Sequence, residues 1–216
     1  MNRKPPIFRN LWALTVLSFL RERPLHPYEM QRLIRERHKD DLLDLKRGSL
    51  YHAIGRLEKA GLIEAVDISR EGRRPERTTY RLTDEGLDVL LDWLHEMLSR
   101  PSRDPNEFLA ALSHLAHLTP EEATDCLVAR TVFLEAEIAG LESVLRTTTP
   151  LIGRLLVLET DMARAWKQAE LEWVRHLVDD LRNGVHQWDI EELIRNAGTI
   201  SSGPHGSSPE GQEVDA

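Results

Sequence analysis

KRGSLYHAIGRLEKAGLIEAVDISREGRRPERTTYRLT, residues 46–83, reads as a short helix, a strand, an arginine-loaded turn and a second strand, in that order. Leu50, Ile54 and Leu57 recur at spacings of four and three, so they share one helical face and point into a core. Ser49 can cap a helix starting at Leu50, because its hydroxyl accepts from an amide one turn in. Gly61 follows the last turn, where a left-handed residue costs least. Ser49, Tyr51, His52, Arg56 and Lys59 fall off the apolar stripe and are free to meet solvent or a partner. Residues 62–68 and 77–82 have the branched and alternating character of half-buried strands, with Thr78, Tyr80 and Leu82 on one side. Gly72 and Pro75 supply turn chemistry between them, and Arg73, Arg74 and Arg77 load the turn with positive charge. A polar helix beside a basic hairpin is suited to holding a nucleic-acid duplex.

Upstream, Ile7, Leu11, Leu14, Leu17 and Leu20 form an apolar stripe at helical spacing, punctuated by Thr15, Ser18 and Arg21 and closed by Pro24. His26-Pro27 opens a second helix through Tyr28, Met30, Leu33 and Ile34 to about residue 37. The acidic-apolar segment 40–45 leads into the third helix. Helix, helix, helix, strand, wing, strand is complete by Thr83. The fold class expected is mainly α with a small two-stranded β-wing: a winged helix-turn-helix followed by a helical C-terminal dimerisation domain.

HPYEM at 26–30, GSLYHAIGRLEKAGLI at 48–63 and GRRPERTTYRLTDEG at 72–86 together resemble the PadR-like transcriptional regulators of bacteria. The resemblance covers residues 5–100 closely and the region to about 196 more loosely. It implies a homodimer on a double-stranded DNA operator, in which the first helix and the C-terminal helices of two subunits exchange contacts. It also implies response to a small aromatic or planar effector. His52 stands where many members carry proline and Pro27 where many carry glycine. His52 leaves the start of the recognition helix less rigid and adds a candidate base or phosphate contact.

In that setting Arg73, Arg74 and Arg77 are expected on phosphates or in the minor groove, the alternative being a solvated charged turn. Tyr51, His52 and Arg56 are candidates for the major groove or backbone, with core packing the alternative for Tyr51. Ser49, Lys59 and Lys46 are phosphate candidates, with ordinary solvated charge the alternative for Lys46. Trp12, Trp93 and Trp166 are candidates to stack on an effector, although aromatics at helical spacing more often belong to a core. Trp93 lies off the leucine stripe of its helix, near the expected cleft between domains.

The net charge of −8 conceals a division. Residues 1–86 carry 18 Lys+Arg against 13 Asp+Glu, or +5; residues 87–216 carry 10 against 23, or −13. Duplex binding needs only a local positive surface, because phosphate neutralisation acts over about a Debye length, ~8 Å at physiological salt. The acidic half should face away from the duplex.

Past the wing, Thr83-Asp84-Glu85 starts a helix carrying Leu87, Leu90, Leu91, Leu94 and Leu98. Residues 100–105 read as a linker, and Asn106 starts a short helix with Phe108, Leu109, Leu112 and Leu115. Thr119-Pro120 opens a helix of roughly 27 residues and Thr149-Pro150 one of roughly 34, ~40 and ~50 Å long. The second carries Leu151, Leu155, Leu158, Met162, Trp166, Ala169, Trp173, Leu177 and Leu181 at spacings of three and four. Helices of this length suggest packing between chains, with the Trp166–Leu181 stripe and part of Leu11–Leu20 as the expected interface. From 197 to 216, ten of twenty residues are Gly, Ser or Pro, a composition that favours a disordered tail. The division expected is 1–100 for DNA, 101–196 for dimerisation and effector, and 197–216 as tail.

No apolar run approaches the ~20 residues that span a bilayer, and the N-terminus lacks a signal-cleavage pattern. The single cysteine, Cys126, excludes an internal disulfide, so a cytoplasmic protein is the plain reading. His114 and His117 sit one turn apart without an obvious third ligand, so neither metal nor cofactor is expected. Phosphate-loop, nucleophile-elbow and zinc-protease signatures are missing, which argues against an enzyme. The favoured function is a dimeric ligand-responsive repressor. The alternative is a winged-helix module for protein association, which would not need the arginine wing.

Overall fold

A computed structural model describes residues 10–37, 48–69 and 77–200. Ile7, the 40–45 lead-in, Lys46, the turn with Gly72, Arg73, Arg74 and Pro75, and residues 201–216 lie outside the described residues.

Helix α1, Leu11–Glu22, begins where the Asn10 side chain accepts from the Ala13 amide at 2.8 Å. Every residue from Ala13 to Leu20 is buried, because later helices and the second strand surround it. Thr15 and Ser18, expected as solvent-side punctuation, are therefore inside, and the Thr15 hydroxyl donates to the Leu11 carbonyl at 2.8 Å. A helix apolar nearly all round is a core element. Ala13 to Leu20 are consumed within the subunit, so of the stripe expected to give part of an interface only half-buried Leu11 and Trp12 keep accessible surface.

Helix α2, Pro27–Glu36, is capped by the His26 imidazole, whose Nδ1 accepts from the Tyr28 amide at 3.1 Å, while Glu29 accepts from the His26 amide at 3.0 Å. Arg37 clamps α2 to α1: it donates to both Glu22 oxygens at 2.5 and 2.6 Å and lies 5.1 Å over the Phe19 ring. The bond to Glu22 raises the guanidinium pKa above its ordinary value.

Helix α3, Gly48–Lys59, starts two residues before the expected position, so Ser49 lies in its first turn rather than capping it. Leu50, Ala53, Ile54 and Leu57 are buried, as the spacing requires. Its end is a Schellman turn: Gly61 donates to the Glu58 carbonyl at 2.9 Å and Leu62 to that of Leu57 at 3.0 Å, with Gly61 at φ +75°. Strands β1, Ile63–Ser69, and β2, Arg77–Leu82, pair antiparallel, with Ile63 opposite Leu82 and a register shift between Ala65 and Asp67. Leu25 exchanges two backbone hydrogen bonds with Tyr80, both 3.0 Å, and forms a minimal third edge.

Thr83 joins this winged unit to the helices behind it. Its amide donates to the Leu62 carbonyl at 3.1 Å, its hydroxyl donates to Gly61 at 2.9 Å, and the same oxygen accepts from Gly86 at 3.1 Å. It thereby caps α4, Asp84–Ser99. A Cβ at Gly86 would lie 2.0 Å from the Leu62 carbonyl oxygen, so only glycine permits this approach.

Asp104 caps α5, Pro105–Leu112, one residue ahead of the expected start, and Leu115 falls in a 3-10 turn, Leu115–His117. A Thr119–Glu122 capping box opens α6, Pro120–Ile152. Pro150 does not open a new helix as expected. It sits in the last turn of α6, where it can give no hydrogen bond to the Arg146 carbonyl, and the break comes three residues later at Gly153, φ +86°. After a 3-10 turn, Arg154–Val157, comes α7, Leu158–Arg182. The pair therefore has 33 and 25 residues, about 50 and 38 Å, reversing the expected lengths. Helix α8, Ile190–Ile200, packs on α1 and carries helical backbone past 197, where the tail was expected to begin. No helix among the described residues is long and apolar enough to cross a membrane.

Arg130 of α6 fastens the hairpin to α4. It is 2% exposed, and its guanidinium donates to the Met97 and Arg100 carbonyls at 3.1 and 3.0 Å and to Glu170 of α7 at 2.6 Å. It also stacks 3.7 Å from the Phe108 ring centroid. Burial lowers its pKa and Glu170 acts in the opposite direction. The main buried core takes in residues from Ala13 in α1 to Leu181 in α7, and Leu134, Ile138 and Leu171 form a smaller cluster between α6 and α7.

Three substitutions test this packing. Gly86→Ala should destabilise the chain by about 2–3 kcal/mol through backbone displacement. Gly140→Ala, in α6 with nothing within 4 Å of the added methyl, should stabilise it by up to about 1 kcal/mol, both read by urea denaturation. Arg130→Met should cost about 3 kcal/mol by leaving Glu170 and the α4 carbonyls unanswered; an unchanged midpoint would refute the fastening role.

Candidate nucleic-acid interface

Burial of Leu50, Ala53, Ile54 and Leu57 turns the opposite side of α3 outward. Ser49, Tyr51, His52, Arg56 and Lys59 are all exposed, Tyr51 by 57%, so Tyr51 is not a core residue. These residues are brought together on one accessible face beside the β1–β2 hairpin. Arg77 begins β2 and leads out of the turn that contains Arg73 and Arg74 in sequence.

The neighbouring cations show why this face is distinct. On α1 and α2, Arg23 pairs with Glu29 at 3.3 Å, Arg32 with Glu36 at 3.4 Å and Arg37 with Glu22. On the strands, Arg81 pairs with Glu64 at 2.5 Å. Arg56 and Lys59 take part in no hydrogen bond or ion pair among the described residues. Among the described residues, several of the cations around α3 are thus paired with carboxylates, whereas Arg56 and Lys59 on its exposed face are not. A surface of this kind attracts polyanions, because its charges are not already satisfied.

One residue of this face escaped the sequence reading. Gly55 lies mid-helix and exposed, between Tyr51 and Lys59 around the helix, and nothing lies within 4 Å of a methyl added there. Glycine inside a helix costs about 1 kcal/mol relative to alanine, and packing offers no compensation here. That unexplained cost in the middle of an exposed polar face was the available signal.

The aromatic candidates do not converge. Trp12 and Trp93 are half-buried and pack against the main core. Trp166 lines a cavity of about 630 Å³ between α5 and α7, with Phe108, Leu109, Leu112, Arg130 and Trp173. Phe108 and Trp173 meet edge to face at 6.3 Å, and Arg103, Lys167 and Glu170 add charge to the lining. Of the three candidates only Trp166 borders this cavity, and Trp173 belongs beside it. Trp188 is tied elsewhere, its indole donating to the Leu118 carbonyl at 2.8 Å.

His114 is buried, with its ring 5.9 Å from that of His117 and 6.3 Å from Phe19. Among the described residues no His, Cys, Asp and Glu side chains group as a metal site. Cys126 is buried and unpaired, and desolvation raises its thiol pKa, reinforced by Asp125 and Glu122.

Comparison with solved structures finds Bacillus subtilis PadR in complex with operator DNA, 20% identical, covering 80% of this chain and 99% of that one, with a TM-score of 0.39. The same protein in complex with p-coumaric acid is 19% identical, with 80% and 99% covered and a TM-score of 0.33. A PadR family transcription regulator from Clostridium difficile is 29% identical, covering 38% of this chain and 82% of that one, with a TM-score of 0.33. No curated protein matches the chain significantly. The family model described as the transcriptional regulator PadR-like family matches residues 16–91, a span that takes in α1 to α4 and the strands between them. By that match, residues 16–91, about a third of the chain, are similar to the PadR-like family of transcriptional regulators.

Proposed function

We propose that the chain is a dimeric, sequence-specific DNA-binding repressor, acting in the cytoplasm, whose hold on a double-stranded operator is released by a small planar aromatic effector. The observation that carries the reading is the exposed face of α3, where Arg56 and Lys59 take part in no ion pair among the described residues while Arg23, Arg37 and Arg81 nearby each have a carboxylate. In this reading Tyr51, His52 and Arg56 meet base edges or backbone in the major groove. Ser49, Lys59 and Lys46 hold phosphates, and Arg73, Arg74 and Arg77 grip the backbone or the adjacent minor groove. One recognition helix covers only a few base pairs, so two subunits reading half-sites about one turn, ~10 bp, apart give the required specificity.

Residues 1–100 serve the operator and 101–196 pair the subunits and hold the effector. The cavity beside Trp166 supports an effector site there, because aromatic walls and a volume of a few hundred Å³ suit a small planar molecule. The exposed apolar residues of α7 would also suit a protein-association module. Salt-dependent DNA binding separates the two, since only the regulator uses the cations of α3.

Mobility shift with DNA from the chain's own promoter region, at two salt concentrations, provides the test. Binding should weaken steeply with salt, and Arg56→Gln or Lys59→Gln should each flatten the logarithmic salt slope by about one unit. Salt-independent binding, or none, removes the reading. Gly55→Ala should raise stability by up to about 1 kcal/mol yet weaken operator binding at least about ten-fold, because the methyl occupies the line of approach. Unchanged affinity by fluorescence anisotropy would show that the duplex does not come close at Gly55.

A further inference from the structure

The hairpin of α6 and α7 ends in apolar side chains that nothing in the subunit covers. Leu151 is 81% exposed and Leu155 77%, and Ile152, Leu156 and Leu158 are also exposed. They surround the Pro150–Gly153 break, where a soluble chain ordinarily places polar turn residues. From this tip an exposed stripe continues along α7 through Met162 and Trp166 to Trp173. It ends at the cavity lined by Phe108, Trp166 and Trp173. The opposite side of α7, carrying Leu171, Val174, Val178 and Leu181, faces the subunit's own core. The tip, formed by the end of α6, the 3-10 turn and the first residue of α7, therefore runs into the outward face of α7 that borders the cavity.

We propose that the tip of this hairpin, Leu151 to Leu158, seats over the Trp166–Trp173 cavity of a second copy of the chain, so that the effector site is completed by the partner subunit. This rests on the dimer reading above and deepens it. An antiparallel pairing about a two-fold beside Met162 places Leu155 and Ala169 at matching distances, ~10 Å on either side of the axis. Each tip then meets the other subunit's cavity, as the reciprocity of a two-fold contact requires. Charge permits it: Asp161, next to Met162, is answered by Arg164 at 3.1 Å and Arg154 at 3.6 Å within the same subunit. Area permits it too. Eight large apolar side chains at roughly 100 Å² each match the roughly 800 Å² that each partner contributes to a stable interface. A patch of that size is larger than a soluble monomer usually leaves open.

The test uses the full chain carrying Leu155→Asp and Leu156→Asp together. Both side chains are exposed, so the fold should survive, which circular dichroism checks. Dimer dissociation, read by sedimentation, should weaken at least about 100-fold. Tryptophan emission should shift to the red, and the shift should vanish when Trp166→Phe is introduced first. If the double variant stays dimeric with unchanged emission, the tip seats elsewhere and this proposal fails while the dimer reading stands. If the unsubstituted chain sediments as a monomer at micromolar concentration, the dimer reading fails with it. A wild-type dimer whose Trp166 emission is still that of a water-exposed indole also overturns the proposal, as the cavity would be open.

Discussion

The carbonyl of Leu62 is the point on which the arrangement of the winged unit depends. It accepts from the Thr83 amide at 3.1 Å and leaves room beside it only for a residue without a side chain, which Gly86 supplies. Leu62 itself closes the end of α3 by donating to Leu57, so one residue terminates that helix and docks the next one against it. A hydrogen bond of this kind contributes only about 1 kcal/mol by itself. Its effect is geometric, since a helix held at its last turn cannot rotate without breaking the contact. The outward face of α3 is thereby fixed relative to α4.

From α4 the connection continues through a different kind of interaction. The helix ends at Ser99, and its last carbonyls, orphaned as those of any helix end are, converge on the buried guanidinium of Arg130. The same guanidinium pairs with Glu170, so the end of α4, the middle of α6 and the middle of α7 meet at one charge. Arginine suits the position because its planar fork reaches several acceptors at once and stacks on Phe108. The cavity beside Trp166 has this ion pair in its wall. A molecule or a partner side chain seated there would bear on the group that holds α4 in place. A ligand bound there as proposed would have a contiguous physical route to the exposed face of α3.

The winged unit was legible because its periods are short and its punctuation is unambiguous. Leu50, Ile54 and Leu57 could face only one way, and Gly61 could end only one helix. Pro150 was misread because proline near a helix start and proline in a final turn leave the same mark in sequence. The α7 stripe was read as one face since both sides are apolar. Trp166 and Trp173 turn outward, while Leu181, read as part of the same stripe, turns into the core with Val174 and Val178. Nor could spacing reveal which arginines were spent. Arg37 finds Glu22 across fifteen positions and Arg130 finds Glu170 across forty, pairings that exist only once the chain is folded. The candidate DNA-contacting residues were chosen by type and position, but what sets Arg56 and Lys59 apart from Arg23, Arg37 and Arg81 is that, among the described residues, only the latter three have carboxylate partners.

The same accounting of charge fixes the polarity of the molecule. In the helical half, Lys167 is taken by Glu137, Arg175 by Glu135 and Arg130 by Glu170. Those pairs absorb cations from a segment that already carries an excess of 13 acidic groups, so its surface is left strongly negative. A duplex approaching from that side meets repulsion over about a Debye length, whereas the exposed side of α3 meets it with unpaired positive charge. The acidic half thus acts as orientation: it excludes the wrong approach and leaves the winged face as the favourable one. Two subunits joined through their hairpins would present two such faces, with the repulsive halves gathered at the seam between them.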